Sequence, residues 1–111
     1  MDVEFTKVFP FSASYASAER SLGRNFKLWI TVHAMDEARE REFEAIVERE
    51  LISEVRSRDL SQHVEFLKNV EIDDLALLRA FWARLSVPLR GFGTKRLALE
   101  RDARTVTTLL I

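Results

Sequence analysis

His33 and His63 are the two histidines of this 111-residue chain, and it has no cysteine. Without sulfur nucleophiles, the sequence excludes disulfides, cysteine–zinc sites, iron–sulfur clusters and thiol catalysis. Two imidazoles and a carboxylate can hold a transition metal. Nothing in the spacing of His33, His63 and the acidic residues favours such a site. His63 stands in a polar stretch and reads most simply as a surface histidine. His33 falls on the polar parity of a strand beside Trp29. It reads as a half-exposed strand residue, or as one that touches a ligand.

Seventeen basic and 18 acidic residues leave a net charge of −1, which does not steer the chain toward nucleic acid or an acidic membrane surface. Hydrophobic residues at 47% against charged residues at 32% describe a folded rather than a disordered chain. The length suits one domain, 1–111, with a core small enough that self-association would help. The first ten residues mix Asp2, Glu4 and Lys7 with apolar ones, unlike a signal peptide. No apolar run approaches the ~20 residues that span a bilayer. A cytoplasmic protein is expected.

The elements that must position any site follow from periodicity. Val3, Phe5, Phe9, Phe11 and Ala13 share one parity, which predicts a strand over 3–14 with one buried face. Pro10 puts it at an edge or at a bulge. Residues 16–25 are small and polar and read as a connection. Phe26, Leu28, Ile30 and Val32 alternate with Lys27, Trp29, Thr31 and His33, the clearest strand in the chain. Phe43, Ile46, Val47, Leu51 and Val55 recur at helical spacing. That helix begins between Asp36 and Glu44, ends near Arg56, and carries a wet face in its Glu/Arg-rich part, 37–50.

After a looser stretch, 56–69, Asp73 or Asp74 caps a second helix with a stripe of Leu75, Leu78, Trp82 and Leu85, widened by Leu77 and Phe81. Pro88 stops it. GFGT, 91–94, is a turn, and 95–100 with 105–111 form a closing hairpin around RDAR. The order ββααββ predicts an α+β fold, a four-stranded antiparallel sheet with two helices on one face. The other face, with Trp29, His33 and threonines, then needs a cover, and sheet edges that pair with further copies would make a homo-oligomer.

Several segments line up with a known family over nearly the whole length. FSASY (11–15), LGRNFKLWITV (22–32), EF (42–43) and LERDARTV (99–106) resemble motifs of the 6-pyruvoyltetrahydropterin and 6-carboxytetrahydropterin synthases. The resemblance implies a T-fold, in which subunits join their sheets into a barrel with sites at subunit interfaces. It also implies three zinc-binding histidines, at places held here by Tyr15, Leu22 and Arg24. Leucine has no donor atom, arginine stays protonated, and tyrosine would have to ionise, so no zinc cofactor is expected.

The family's cysteine base has no counterpart among residues 16–21, where Ser17 and Ser21 lack an activating partner. The family's Asp-His pair is matched by Gln62-His63, which makes His63 a candidate catalytic base without its carboxylate orienter; Asp59 is a possible stand-in. Glu100 matches the glutamate that anchors the amide and amino groups of a pterin or purine ring through paired hydrogen bonds. Its plainer reading is a surface carboxylate paired with Lys95, Arg101 or Arg104, and Arg101 replaces the family's usual threonine. Arg24, with Arg20, offers a fixed positive charge for a phosphate or carboxylate in place of the metal, or else a solvated loop arginine.

Three functions compete. The first is a divergent relative of the pterin synthases that has lost zinc-dependent synthase activity and binds a pterin- or purine-like ring at a subunit interface. The second is an active lyase of the family's carbon–oxygen type. The third is a structural or partner-binding oligomer in which Glu100 and His63 are incidental.

Overall fold

The computed structural model describes residues 3–16, 21–58, 60, 64–67, 73–102 and 105–111, with only the backbone of 15, 16, 21–24, 65 and 102. Strands β1 (Glu4–Ala16) and β2 (Ser21–His33) pair antiparallel along their full length, from Glu4↔His33 to Ala16↔Ser21. Most of the stretch read as a connection is therefore strand. Its small polar residues hide a pairing set by the partner strand rather than by their own hydrophobic pattern. Strands β3 (Arg96–Asp102) and β4 (Thr105–Leu110) form the closing hairpin, and β3 pairs with β2, giving the order β1-β2-β3-β4.

Pro10 sits where an edge strand tolerates it. Ser12 and Ser14 turn their backbone groups outward, where Ser12 O accepts from Ser57 N, and Ser14 N donates to Arg58 O at 3.0 Å. Leu60 N donates to Ser14 O at 2.7 Å. Pro10 shares their parity, so its missing N–H removes no bond to β2. Part of the loose 56–69 stretch thus covers one end of the sheet edge.

The helices lie on one face. Helix α1 (Glu37–Val47) starts at Asp36, whose side chain accepts from Arg39 N at 2.8 Å. This resolves the alternative between Asp36 and Glu44. The chain continues through a widened π-type turn, Glu48–Ile52, into a last helical turn, Ser53–Val55. Successive i+4 positions drift round an α-helix of about 3.6 residues per turn, and the wide turn takes up that drift. Phe43, Val47, Leu51, Ile52 and Val55 are all fully buried as a result. Arg84 donates to the carbonyl of Glu50 within the widened turn at 3.0 Å.

Helix α2 (Asp74–Leu85) is capped by Asp73, which accepts from Ala76 N at 2.8 Å. Its buried stripe is Leu77, Leu78, Phe81 and Leu85, while Leu75 is exposed and Trp82 half-buried. Leu75 was expected in the stripe. It stands in the first turn of α2, roughly 105° around the helix from the centre of the buried stripe, at its wet margin.

Phe9, Phe11, Phe26, Leu28, Ile30, Leu97 and Leu99 meet these helices in one core. Phe43 packs edge-on to Phe5 at 6.3 Å and Phe9 at 6.0 Å, and it meets Phe92 at 5.7 Å. No helix among the described residues is long and apolar enough to cross a membrane. Because Phe43 joins β1, α1 and the turn before β3, Phe43→Ala is expected to cost about 3–5 kcal/mol. Urea unfolding measures this as a lower midpoint with an unchanged slope.

Candidate ligand-binding site

Strand alternation sends half of the sheet's side chains to the face opposite the helices. The register arranges them in rows across it. One row is Pro10, Lys27, Glu100 and Val106. The next is Val8, Trp29, Ala98 and Thr108, and the next Thr6, Thr31, Arg96 and Leu110. Leu28 and Leu99 lie between Lys27/Glu100 and Trp29/Ala98 on the opposite, buried side, which fixes the face of each.

The two ends of this open face differ. At one end Arg96 reaches over β2 to Glu4, with Nη2 2.8 Å from Oε2. Beneath that strap Thr31 is buried and shares a hydroxyl hydrogen bond of 2.8 Å with Thr6. At the other end stands Glu100. Its side chain is 19% exposed, against 54% for Lys27, whose Nζ lies 3.7 Å from Oε2 of Glu100. The expected surface partners were Lys95, Arg101 or Arg104, all near in sequence. The register sets Lys27 of the neighbouring strand directly opposite, Arg101 turns to Asp74, and Arg104 lies outside the described residues.

Arg101 has a different role. The β3–β4 pairing shifts between Glu100 and Asp102, so Arg101 is the extra residue of a bulge. Its Nε is 3.7 Å from Oδ1 of Asp74 in the first turn of α2. Asp74 also accepts from Thr107 Oγ1 at 3.3 Å. Glu100 and Arg101, adjacent in sequence, therefore serve opposite faces of the sheet. A bulge beside a carboxylate is a common way to aim a side chain.

The three positions matched to zinc histidines come together in the backbone: Tyr15 pairs with Leu22, and Arg24 with Ala13, two steps along the same hairpin. A Tyr, Leu, Arg donor set does not suit zinc. Among the described residues no cluster of three or more His, Asp or Glu side chains could hold a metal ion. His63, Gln62, Asp59, Arg20 and Ser17 lie outside the described residues.

His33 is exposed at the end of β2, and its ring covers Gly93. Gly93 has φ +66°, and a Cβ there would run into the imidazole. His33 N also donates to Gly93 O at 3.2 Å. The histidine thus seats the turn that leads into β3. Trp29 remains half-buried on the open face.

Neither the family models nor the curated proteins contain a match to this chain. Among solved structures, the Caenorhabditis elegans 6-pyruvoyl tetrahydropterin synthase superposes with a TM-score of 0.69, covering 100% of this chain and 96% of that one. The fold is that α+β fold. The two sequences are 15% identical, so the likeness carries the architecture alone.

Gly93→Ala is expected to destabilise the protein by more than about 1 kcal/mol, because an L-residue is strained there and meets His33. His33→Ala in the same chain should recover part of the loss. A double-mutant cycle in urea measures that coupling.

Proposed function

We propose that this chain is a relative of the pterin synthases without zinc-dependent synthase activity, and that it binds a pterin- or purine-like ring through Glu100. The supporting observation is the place of Glu100: a largely shielded carboxylate on the open sheet face, next to the β3–β4 bulge, within a sheet that matches a pterin synthase end to end. A carboxylate accepts two side-by-side hydrogen bonds from a ring amide and its neighbouring amino group. Partial shielding strengthens those bonds, because water competes less.

The reading takes residues 1–111 as one domain of a cytoplasmic homo-oligomer. Each copy contributes an open face, and the ring lies at an interface between copies. The lost catalytic parts follow from chemistry. In the synthases the resemblance points to, a metal offsets negative charge that develops on side-chain oxygens. Tyr15, Leu22 and Arg24 supply no metal cage for that task. In the backbone register Arg24 shares the parity of Phe26 and Leu28, the side opposite the open face, so its charge is not counted in the proposed ring site.

Thermal-shift and calorimetric titrations with neopterin and guanosine test this. Binding is expected for the wild type, and Glu100→Gln should weaken it by at least about tenfold, the scale of a hydrogen bond to a charged group. Zinc content should stay far below one ion per chain. No response to any such ring would overturn the binding reading. Stoichiometric zinc, or turnover of dihydroneopterin triphosphate that Glu100→Ala abolishes, would overturn the loss of synthase activity.

A further inference from the structure

The outer edge of β1 changes character along its length. Val3 O accepts from Ala34 N, so the odd residues of the strand turn their backbone groups toward β2 and the even ones turn theirs outward. From Pro10 onward that edge is closed. Pro10 has no N–H to give. Ser12 O accepts from Ser57 N, Ser14 N donates to Arg58 O at 3.0 Å, and Leu60 N donates to Ser14 O at 2.7 Å. Leu60 is fully buried, which anchors this cover to the core. Ser57 takes φ +59°, the left-handed region that a residue with a Cβ enters at a cost. Such a conformation persists only where its surroundings enforce it, and here they include the bonds to the β1 edge. Among the described residues no backbone partner reaches Glu4, Thr6 or Val8 on this side.

The far edge of the sheet offers a matching row. Ile111 N donates to Lys95 O at 2.9 Å, so the odd residues of β4 face β3, and Val106, Thr108 and Leu110 point their backbone groups outward. Val106 is 54% exposed and Leu110 76%. As the outer strands of a four-stranded antiparallel sheet, β1 and β4 run in opposite directions. The β4 strand of a second copy can therefore continue the sheet as an antiparallel neighbour of β1. With Thr6 opposite the partner's Thr108, Val8 meets the partner's Val106 and every outward group of both rows is used. A shift of two residues toward the hairpin sets the added strand against Pro10 and the cover. A shift of two the other way runs the partner's Leu110 past the start of β1.

We propose that Pro10 and the cover of Ser57, Arg58 and Leu60 form an edge guard, which closes β1 beyond Val8 and holds the β4 strand of a second copy to Glu4, Thr6 and Val8 in that single register. This rests on the self-association in the reading above and not on its ring. An unguarded edge of this length would accept a strand at several registers and invite open-ended association.

The test follows oligomer mass by sedimentation and amide exchange by NMR, on the full chain with no ring added. In wild type the amides of Thr6 and Thr108 should exchange slowly in the assembled protein and rapidly on dilution, while that of Ser14 stays slow at every dilution. Thr108→Pro removes an outward N–H and no bond to β3, and should weaken association by at least about tenfold. Ser12→Pro removes an N–H from the closed half and should leave association unchanged. Ser57→Pro cannot take a positive φ, so it should free the Ser14 amide and give larger, uneven assemblies. The wild-type exchange pattern decides the matter even where Ser57→Pro unfolds the chain, and melting temperatures of the two edge variants when dilute check that they fold. Association that Ser12→Pro weakens as much as Thr108→Pro, or a Ser14 amide that dilution exposes as it does Thr6, would overturn the guard alone. A monomer at every concentration would overturn the guard and the self-association together. Ring titration is a separate measurement, so the binding role of Glu100 stands or falls apart from both.

Discussion

Strand β2 is paired on both sides, and the rest of the molecule depends on the register this fixes. Phe26, Leu28, Ile30 and Val32 are almost wholly buried against the helices, and Lys27, Trp29 and Thr31 take the other face. A slip of one residue would put four apolar side chains in water and bury a lysine. At roughly 1.5–3 kcal/mol for each buried side chain, such a slip is out of reach. The same constraint sets Lys27 opposite Glu100 on the open face. The candidate site is thus a by-product of the strongest hydrophobic signal in the chain.

The open face divides its polar groups between structure and chemistry. Arg96, Glu4, Thr6 and Thr31 satisfy one another at one end. His33 holds the turn at Gly93, while Arg101 braces the bulge against Asp74 from the opposite, helix-covered side. Lys27 and Glu100 have the longer, weaker contact of 3.7 Å on this face. Charges in such a contact are cheap to redirect toward a ligand. The proposed chemistry uses the Glu100 carboxylate to hold a ring edge, with no step that needs a Lewis acid.

Much of this was legible in the sequence. Alternation in 26–33 gave the central strand its faces, and possible Asp caps narrowed the helix starts to between Asp36 and Glu44 and to Asp73 or Asp74, alternatives that the capping hydrogen bonds of Asp36 and Asp73 decide. The order ββααββ and the place of the closing hairpin followed from turn residues and β-branched threonines. Other features depend on partners far away in the chain. Residues 21–25 carry no strand pattern of their own and are extended because β1 lies beside them. Leu75 is as apolar as its neighbours, and only the direction of the core decides that it stays wet. Lys27 was missed as the partner of Glu100 because cross-strand neighbours are set by register, which nearness in sequence does not reveal. A count of parity across the two strands would have narrowed the choice. His63 lies outside the described residues, so its role rests on the sequence alone.

The most direct measurement is a map of where a ring sits. Backbone and indole N–H signals of isotopically labelled protein would be followed by NMR as neopterin is added. The account predicts shifts concentrated at Lys27, Trp29, Ala98, Glu100 and Val106, the open-face rows around the carboxylate. Shifts confined to the helical face, or to the strap of Glu4 and Arg96 while Lys27 and Glu100 stay still, would contradict it.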